Sequence, residues 1–233
     1  MPPSERATRR ALAVLSDEIV ECRACPRLVR HREAIAREKR RAFRDWTYWG
    51  RPVPGFGDPL GSIVVVGLAP AAHGANRTGR IFTGDRSGDF LFAALHRAGL
   101  ANQPTSVARD DGLTLRSVYV LSPVRCAPPD NKPTPDEIAR CAPFLDRELE
   151  ILQNARVLLA LGAIAWRSIL DHLERHGASV PRPRPGFAHG ARATIGRWSL
   201  VGSYHVSQQN TQTGKLTEAM FDDVLAQAAR AAR

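Results

Sequence analysis

The amino-acid sequence predicts an α/β fold in which one parallel sheet of four strands lies between two layers of helices. Four short segments are almost wholly apolar, which is typical of strands that are buried on both faces of a sheet. The segments between them have the 3.6-residue periodicity of amphipathic helices. Strands that alternate with helices form βαβ units, and such units give parallel sheets. The prediction is therefore a three-layer αβα sandwich.

The N-terminal part precedes this alternation. Residues 4–20 have the pattern of a helix, with Leu12 and Leu15 on its apolar face. Residues 28–43 are helical in pattern and rich in arginine, and residues 46–58 form an aromatic, Gly/Pro-rich loop. We expect residues 4–45, approximately, to form a helical arm.

The alternating elements follow in order. They are strand 62–67, helix 87–99, strand 117–121, helix 135–152, strand 156–161, helix 162–172, strand 198–202 and a last helix from 214 to near the end. Thr134 is placed to cap its helix, and residues 180–190 are a Pro-rich excursion. There is no internal repeat and no linker, and 233 residues with 43% hydrophobic composition suffice for one core. We therefore expect a single domain over residues 1–233.

In an open parallel sheet, ligands bind outside the carboxyl ends of the strands. Polar residues concentrate in three loops that leave such ends, at residues 68–86, 122–134 and 203–213. None of them is a phosphate loop or a dinucleotide-binding Gly-rich turn, which argues against nucleoside triphosphate chemistry. We expect the functional site at this edge.

Charge and hydropathy indicate the partner and the compartment. The chain has 33 basic and 23 acidic residues, a net charge of +10. This balance favours a polyanion such as nucleic acid, although a generally arginine-rich composition explains it equally well. No stretch of eighteen apolar residues and no signal peptide is found, so we expect a cytoplasmic protein without membrane attachment.

Four cysteines stand in an uneven pattern, at Cys22, Cys25, Cys126 and Cys141. The pattern fits neither a disulfide framework nor a zinc ribbon, which needs two Cys-x-x-Cys pairs. Four thiolates suit an iron–sulfur cluster, and four buried, unreactive thiols are the alternative. The spacing alone leaves both open.

Three motifs carry a resemblance to a known family. They are residues 67–88 (GLAPAAHGANRTGRIFTGDRSG), 125–134 (RCAPPDNKPT) and 205–214 (HVSQQNTQTG). In this order and on these loops, they resemble the family 5 (type b) uracil-DNA glycosylases, the iron–sulfur branch of that superfamily. The match extends from about Cys22 to Lys215.

The resemblance implies an enzyme that flips uracil out of DNA and hydrolyses its N-glycosidic bond, leaving an abasic site. It also implies a [4Fe-4S] cluster held by the four cysteines. We interpret this cluster as structural, because it would tie the helical arm to the loop after the second strand.

The resemblance assigns roles to individual residues. The catalytic residues would be Asp85, His205 and Asn131. The substrate-binding residues would be Phe82, Gly67 and Ala71. The DNA-binding residues would be Arg77, Ser207, Gln208, Asn210 and Lys215. Each has an ordinary alternative, such as a helix N-cap for Asp85, a structural histidine for His205 and a solvated turn for the last loop. We also expect a basic rim formed by Arg77, Arg80, Arg125, Lys132 and Lys215.

Two departures from related branches affect specificity. Leu68 and Ala69 stand where many relatives have an acidic residue, and Ser122 stands where another branch has an asparagine that reads uracil. With fewer polar groups to read the base, we expect activity on other deaminated bases such as hypoxanthine.

The expected partner is damaged, uracil-containing, double-stranded DNA, and the expected form is a monomer associated with the nucleoid. Two other readings compete. One is a non-catalytic iron–sulfur DNA-binding protein on the same fold, and the other is a soluble nucleotide or sugar hydrolase.

Overall fold

The computed structural model describes residues 4–233. Within this range the α-helices are α1 (Glu5–Glu21), α2 (Pro26–Glu38), α3 (Ala75–Thr78), α4 (Arg86–Arg97), α5 (Pro135–Ile151), α6 (Ala163–Arg175), α7 (Gln208–Gln212) and α8 (Glu218–Ala231). Two short 3₁₀ turns lie at Arg41–Phe43 and Pro129–Asn131.

One sheet of six strands forms the centre of the protein. The strands are β1 (Phe56–Gly57), β2 (Ile63–Val66), β3 (Val118–Leu121), β4 (Val157–Leu161), β5 (Arg192–Ile195) and β6 (Trp198–Ser203). Their order across the sheet is β1-β3-β2-β4-β6-β5. The prediction of a four-stranded parallel sheet is therefore wrong in strand number and in type, because the sheet is mixed.

The four predicted strands are β2, β3, β4 and β6, and these four do pair in parallel. Every residue of β2 is buried, since helices cover both faces. Val65 belongs to the core cluster that contains residues of α4 and α8, whereas Val64 and Val66 belong to the cluster that contains residues of α5 and α6. Alternate side chains thus fill two separate cores, as a pleated strand requires.

The two additional strands lie at the edges. β1 pairs antiparallel with β3, with Phe56 opposite Val120. β5 pairs antiparallel with β6, with Ile195 opposite Trp198. β1 has only two residues and β5 is largely exposed, so neither has the apolar pattern by which buried strands are recognised.

Two helix boundaries differ from prediction. The second helix begins at Pro26 and ends at Glu38, because proline is favoured in the first turn of a helix. The last helix begins at Glu218, where the Thr217 side chain accepts a hydrogen bond from the Met220 amide. The residues before it instead form the separate short helix α7.

The N-terminal arm packs onto the rest of the chain. Leu12 of α1 joins the core cluster on the α5/α6 side of the sheet, and Arg147 of α5 pairs with Glu18 of α1. In the part of the chain that the structure describes, no helix has the length and apolar character needed to cross a bilayer.

Candidate active site and cysteine cavity

An open cleft of about 670 Å³ lies at the edge of the sheet where the parallel strands have their carboxyl ends. Its walls come from the loop after β2, the 3₁₀ turn after β3, the start of α7 and the segment that follows α2. Of the residues that the sequence singled out, the cleft is lined by Ala71, Arg77, Asp85, Asn131 and Gln208. The chain thus brings these together from distant positions in the sequence.

Asp85 is the half-buried carboxylate of this cleft and also the N-cap of α4. Its Oδ1 accepts a hydrogen bond from the Gly88 amide at 3.0 Å. Burial raises the pKa of Asp85, and hydrogen bonds from the Gly88 and Ser87 amides oppose that rise. Asp85 therefore has the helix N-cap role that was the alternative to a catalytic role. The cap hydrogen bond uses Oδ1 and leaves Oδ2 for another contact.

Gly74 sets the position of that second oxygen. A Cβ atom at Gly74 would collide with Asp85 Oδ2 and would lie 2.7 Å from Asp85 Cγ. Only a residue without a side chain leaves room for the carboxylate at this point.

We therefore expect Gly74→Ala to displace Asp85 and to lower the rate of the reaction at this site by about 100-fold, since small misplacements have effects of this size. Gly186→Ala is the matched control, because a Cβ at Gly186 meets nothing within 4 Å. The measurement is a single-turnover rate for each variant alongside its thermal unfolding. Equal rates for the two folded variants would contradict this reading of Gly74.

Phe82 and His205 form an aromatic pair that is not part of the cleft lining. Their ring centroids are 6.1 Å apart, and the rings are inclined by 36°. Phe82 is buried with φ of +52°, a left-handed conformation that is unusual for an aromatic residue and is found where surrounding structure enforces it. A Cβ at Gly67 would lie 2.8 Å from the Phe82 ring, so Gly67 provides the space that the ring occupies.

His205 follows β6 directly, and burial lowers its pKa to about 4. The imidazole is therefore neutral at physiological pH and can donate one hydrogen bond without carrying a charge. The Asn210 side chain holds the adjacent backbone by donating from Nδ2 to the His205 carbonyl at 2.8 Å.

The last polar loop is partly helical. Ser207 is the N-cap of α7 and accepts from the Asn210 amide, so both of these side chains already have partners within the loop. Gln208 is exposed and lines the cleft. The Lys215 ammonium lies 5.1 Å from the centre of the Tyr204 ring. Asn131 is exposed on the opposite wall with φ of +56°.

The expected basic rim is wrong for two of its members. Arg80 is buried and pairs with Asp111 at 2.8 Å, and Arg125 is buried and pairs with Glu148. Their partners lie far away in the sequence or in another element, and burial of a charge requires such a partner. Arg77 is also buried, although it lines the cleft.

One group of residues at the cleft was not predicted from the sequence. Arg40, Phe43, Trp46 and His73 line it, and the Tyr48 hydroxyl is 3.1 Å from Nδ1 of His73. Arginine and aromatic residues alternate in this segment, and this pattern is found in nucleic-acid-binding surfaces. The pattern could have identified the segment from the sequence.

The four cysteines line one small cavity away from the cleft. Cys22 and Cys25 lie between α1 and α2, Cys126 follows β3, and Cys141 lies in α5. None of the four forms a disulfide bond. The arm, the β3 loop and α5 therefore meet at these four side chains.

The chemistry around this cavity fits a group that binds thiolates. Burial raises the pKa of Cys126 to about 11 and that of Cys141 to about 12. Arg32 donates to Cys126 Sγ at 3.2 Å, and the Arg125 amide donates to Cys141 Sγ at 3.4 Å. Among residues 4–233, the buried Nε atoms of Arg32 and Arg125 have no hydrogen-bond partner. Soft sulfur ligands beside a guanidinium and a backbone N–H donor suit an anionic iron–sulfur centre.

A second group of possible metal ligands lies between α5 and α6. Ligand atoms of Asp146, His172 and His176 lie within 4.8 Å of one another. Arg175 donates to both oxygens of Asp146, at 2.7 and 3.0 Å, so this carboxylate already has a cationic partner. The arrangement is explained as an ion-pair network.

The mixed α/β sheet has a half-buried carboxylate and a neutral imidazole in the loops at its carboxyl edge, where enzymes of this fold class bind their ligands. The model of the uracil DNA glycosylase superfamily matches residues 54–229. The chain belongs to the uracil DNA glycosylase superfamily.

Curated relatives cover nearly all of the chain. It is 52% identical over 220 residues to the Type-5 uracil-DNA glycosylase of Mycobacterium leprae, covering 94% of each protein. It is 52% identical over 215 residues to the Type-5 uracil-DNA glycosylase of Thermus thermophilus, covering 92% of this chain and 95% of the relative. The Type-4 uracil-DNA glycosylase of Thermotoga maritima is 30% identical over 161 residues, which are 69% of this chain and 66% of that protein.

Proposed function

We propose that this protein excises uracil from DNA by hydrolysing the N-glycosidic bond and leaves an abasic site, as a monofunctional DNA repair glycosylase. The observation that carries the proposal is the half-buried Asp85 carboxylate in the cleft, in a chain about half identical to Type-5 uracil-DNA glycosylases. A net charge of +10 supports binding to DNA.

The reaction needs the base out of the helix, a donor for the negative charge on the departing base, and water at the sugar. Phe82, whose ring packs against Gly67, would stack on the flipped base. His205 would donate to a base carbonyl as negative charge develops, a role that its lowered pKa supports because a neutral imidazole cannot protonate the base outright. Ala71 would bound the entrance.

Asp85 would stabilise the cationic sugar and orient the attacking water. Its pKa, which burial raises, makes the ionised carboxylate a stronger base than an ordinary aspartate. Asn131, exposed on the opposite wall, would read the edge of the base or hold the loop on which it lies.

The DNA strand would contact the rim formed by α7 and the residues after it. We assign Ser207, Gln208, Asn210, Lys215 and Arg77 to this contact, with Gln208 the most exposed of those that line the cleft. We propose a double-stranded substrate and a monomeric protein that works at the nucleoid in the cytoplasm. We also propose one domain over residues 1–233 with an arm at about 4–45. Residues 1–3 lie outside the described range.

We propose that Cys22, Cys25, Cys126 and Cys141 hold a [4Fe-4S] cluster and that the protein belongs to the iron–sulfur branch. The cavity that these thiols share supports this, as do the unpartnered arginine atoms beside it. When bound, the cluster would supply a cross-link between the arm, the β3 loop and α5. The reaction itself would be carried out by Asp85 and Asn131 of the cleft together with His205.

Cys126→Ser is expected to abolish the absorbance near 400 nm, to lower bound iron well below about four atoms per chain and to lower the unfolding temperature, because one soft ligand is lost. Ser122→Ala, in the same loop, is the matched control, since the Ser122 hydroxyl bonds to the Val124 carbonyl and not to a cysteine. Metal analysis and absorbance check this. Wild-type protein that contains zinc or no metal would contradict the cluster.

We propose further that hypoxanthine is a second substrate, because Ser122 is occupied with the backbone and provides no reader for the base. The test of the proposed function is cleavage by alkali of matched duplexes that contain uracil or hypoxanthine after incubation with the protein. Alkali-labile product from the uracil duplex supports a glycosylase. Binding without product would identify a non-catalytic DNA-binding protein, and cleavage of free nucleosides alone would identify a nucleoside hydrolase.

A further inference from the structure

The cleft contains a histidine that is hydrogen-bonded to a tyrosine hydroxyl. The Tyr48 hydroxyl is 3.1 Å from His73 Nδ1, and its oxygen accepts a hydrogen bond from the Arg40 amide at 3.4 Å. The Arg40 amide uses one acceptor position of this oxygen, which favours an arrangement in which the hydroxyl proton of Tyr48 is donated to Nδ1. A neutral His73 then carries its proton on Nε2, the nitrogen that remains available as a donor.

His73 stays neutral in this environment. Burial lowers its pKa, and the nearby positive charges of Arg40 and Arg77 lower it further. His73 is therefore an uncharged N–H donor among cations.

Arg77 provides a second donor at the same wall. Its Nε donates to the His73 carbonyl and its Nη2 donates to the Gly84 carbonyl, both at 2.8 Å. The guanidinium lies over the rings of Phe43 and Trp46, 3.9 and 4.1 Å from their centres. Its Nη1 is buried and has no hydrogen-bond partner anywhere in residues 4–233. A buried donor without a partner is costly, so its retention beside an open cleft points to a ligand that accepts the bond.

The chemistry of that ligand follows from its surroundings. Arg40, Arg77 and Arg86 line the cleft against Asp85 and Asp89, so the charge of its lining is positive. The flipped base would lie at Phe82 and His205, and these two residues do not line the cleft. The group that reaches His73 and Arg77 would therefore belong to the sugar–phosphate backbone of the DNA strand.

We propose that His73 Nε2, Arg77 Nη1 and the side chain of Arg40 form a subsite for one phosphodiester group next to the excised nucleotide, with Tyr48 as a positioning residue that fixes the tautomer of His73. The subsite rests on the proposed function in requiring DNA as the substrate. This subsite would hold the DNA strand beside Asp85, because Arg77 also donates to the carbonyl groups of His73 and Gly84, which lie in the same loop after β2 as Asp85.

A thermodynamic double-mutant cycle, in which one change is made in the protein and the other in a phosphate of the DNA, tests this subsite. Uracil-containing duplexes are prepared in which each phosphate near the uracil is replaced in turn by a neutral methylphosphonate. Dissociation constants are measured for the wild type, His73→Ala and Tyr48→Phe. His96→Ala, an exposed histidine of α4, is the matched control.

With unmodified DNA we expect His73→Ala to weaken binding about 10- to 100-fold, the range for a hydrogen bond to a charged group. At one phosphate, methylphosphonate should weaken binding to the wild type by a similar factor and leave His73→Ala with no further loss. Additive losses at every phosphate would overturn the proposal. If His73→Ala does not fold, Tyr48→Phe, which removes a single oxygen, gives the same cycle with a smaller effect.

A second readout does not depend on binding. Nitrogen-15 spectra of the wild type should show His73 protonated on Nε2, and Tyr48→Phe should shift it towards a mixture of tautomers. A wild-type proton on Nδ1 would also overturn the proposal. If the wild type binds these duplexes without releasing uracil, the proposed function fails while the cycle still decides whether the phosphate subsite exists.

Discussion

Asp85→Asn is expected to lower the single-turnover rate of uracil release by about 10²- to 10⁴-fold, the usual contribution of a general base. The substitution separates the two roles of this residue. Asparagine caps a helix as well as aspartate does, so the Gly88 contact is retained and stability should change by less than about 0.5 kcal/mol. What is lost is the negative charge of the carboxylate.

The pH dependence provides a second check on Asp85. Burial raises its pKa, and the reaction needs the ionised form. Activity should therefore fall, as the pH is lowered, at a higher pH than the ordinary aspartate pKa of about 3.9 would give. Asp136→Asn, an exposed carboxylate in the first turn of α5, is the control. A folded Asp85→Asn protein with the wild-type rate would disprove the role.

His205→Ala is expected to lower the rate by about 10²- to 10³-fold, as the loss of one donor to a developing anion does. His205→Gln keeps a donor and should lose less. Since burial lowers the pKa of His205 to about 4, its protonation should not alter the rate between about pH 5 and 8. Single-turnover rates with enzyme in excess are the measurement. An alanine variant that binds DNA less tightly but cleaves at the wild-type rate would make His205 a binding residue only.

The central strands were predictable because each carries its own signal. Val64, Val65 and Val66 are apolar on both faces, and such a run is explained only by a strand between two layers. The edge strands have no comparable signal. Arg192–Ile195 is mostly exposed, and its pairing with β6 depends on the chain returning beside it after the Pro-rich excursion. Pairings of this kind are set by tertiary structure.

The site was predictable to a different degree. Motifs identified the loops, and the cleft does bring together Asp85, Asn131 and Gln208. The burial of individual side chains could not be predicted from the motifs. The sequence predicts Arg80 on the basic rim, but in the fold Arg80 pairs with Asp111, which lies 31 positions further along the chain. The Tyr48–His73 contact likewise joins two loops whose proximity is a property of the fold.

The cysteines illustrate how a fold completes a sequence pattern. Cys22 and Cys25 are adjacent by spacing alone, whereas Cys126 and Cys141 reach them only because β3 and α5 lead to the same cavity. The roles proposed for the individual cleft and cavity residues stay predictions until the variants are measured.

The central claim is that the cleft cuts the bond between base and deoxyribose. The most direct measurement is mass-spectrometric quantification of free uracil released from a uracil-containing duplex by an excess of the purified protein. We expect one free uracil for each abasic site formed. Intact duplex, or release of the base only as a nucleoside or nucleotide, would contradict it.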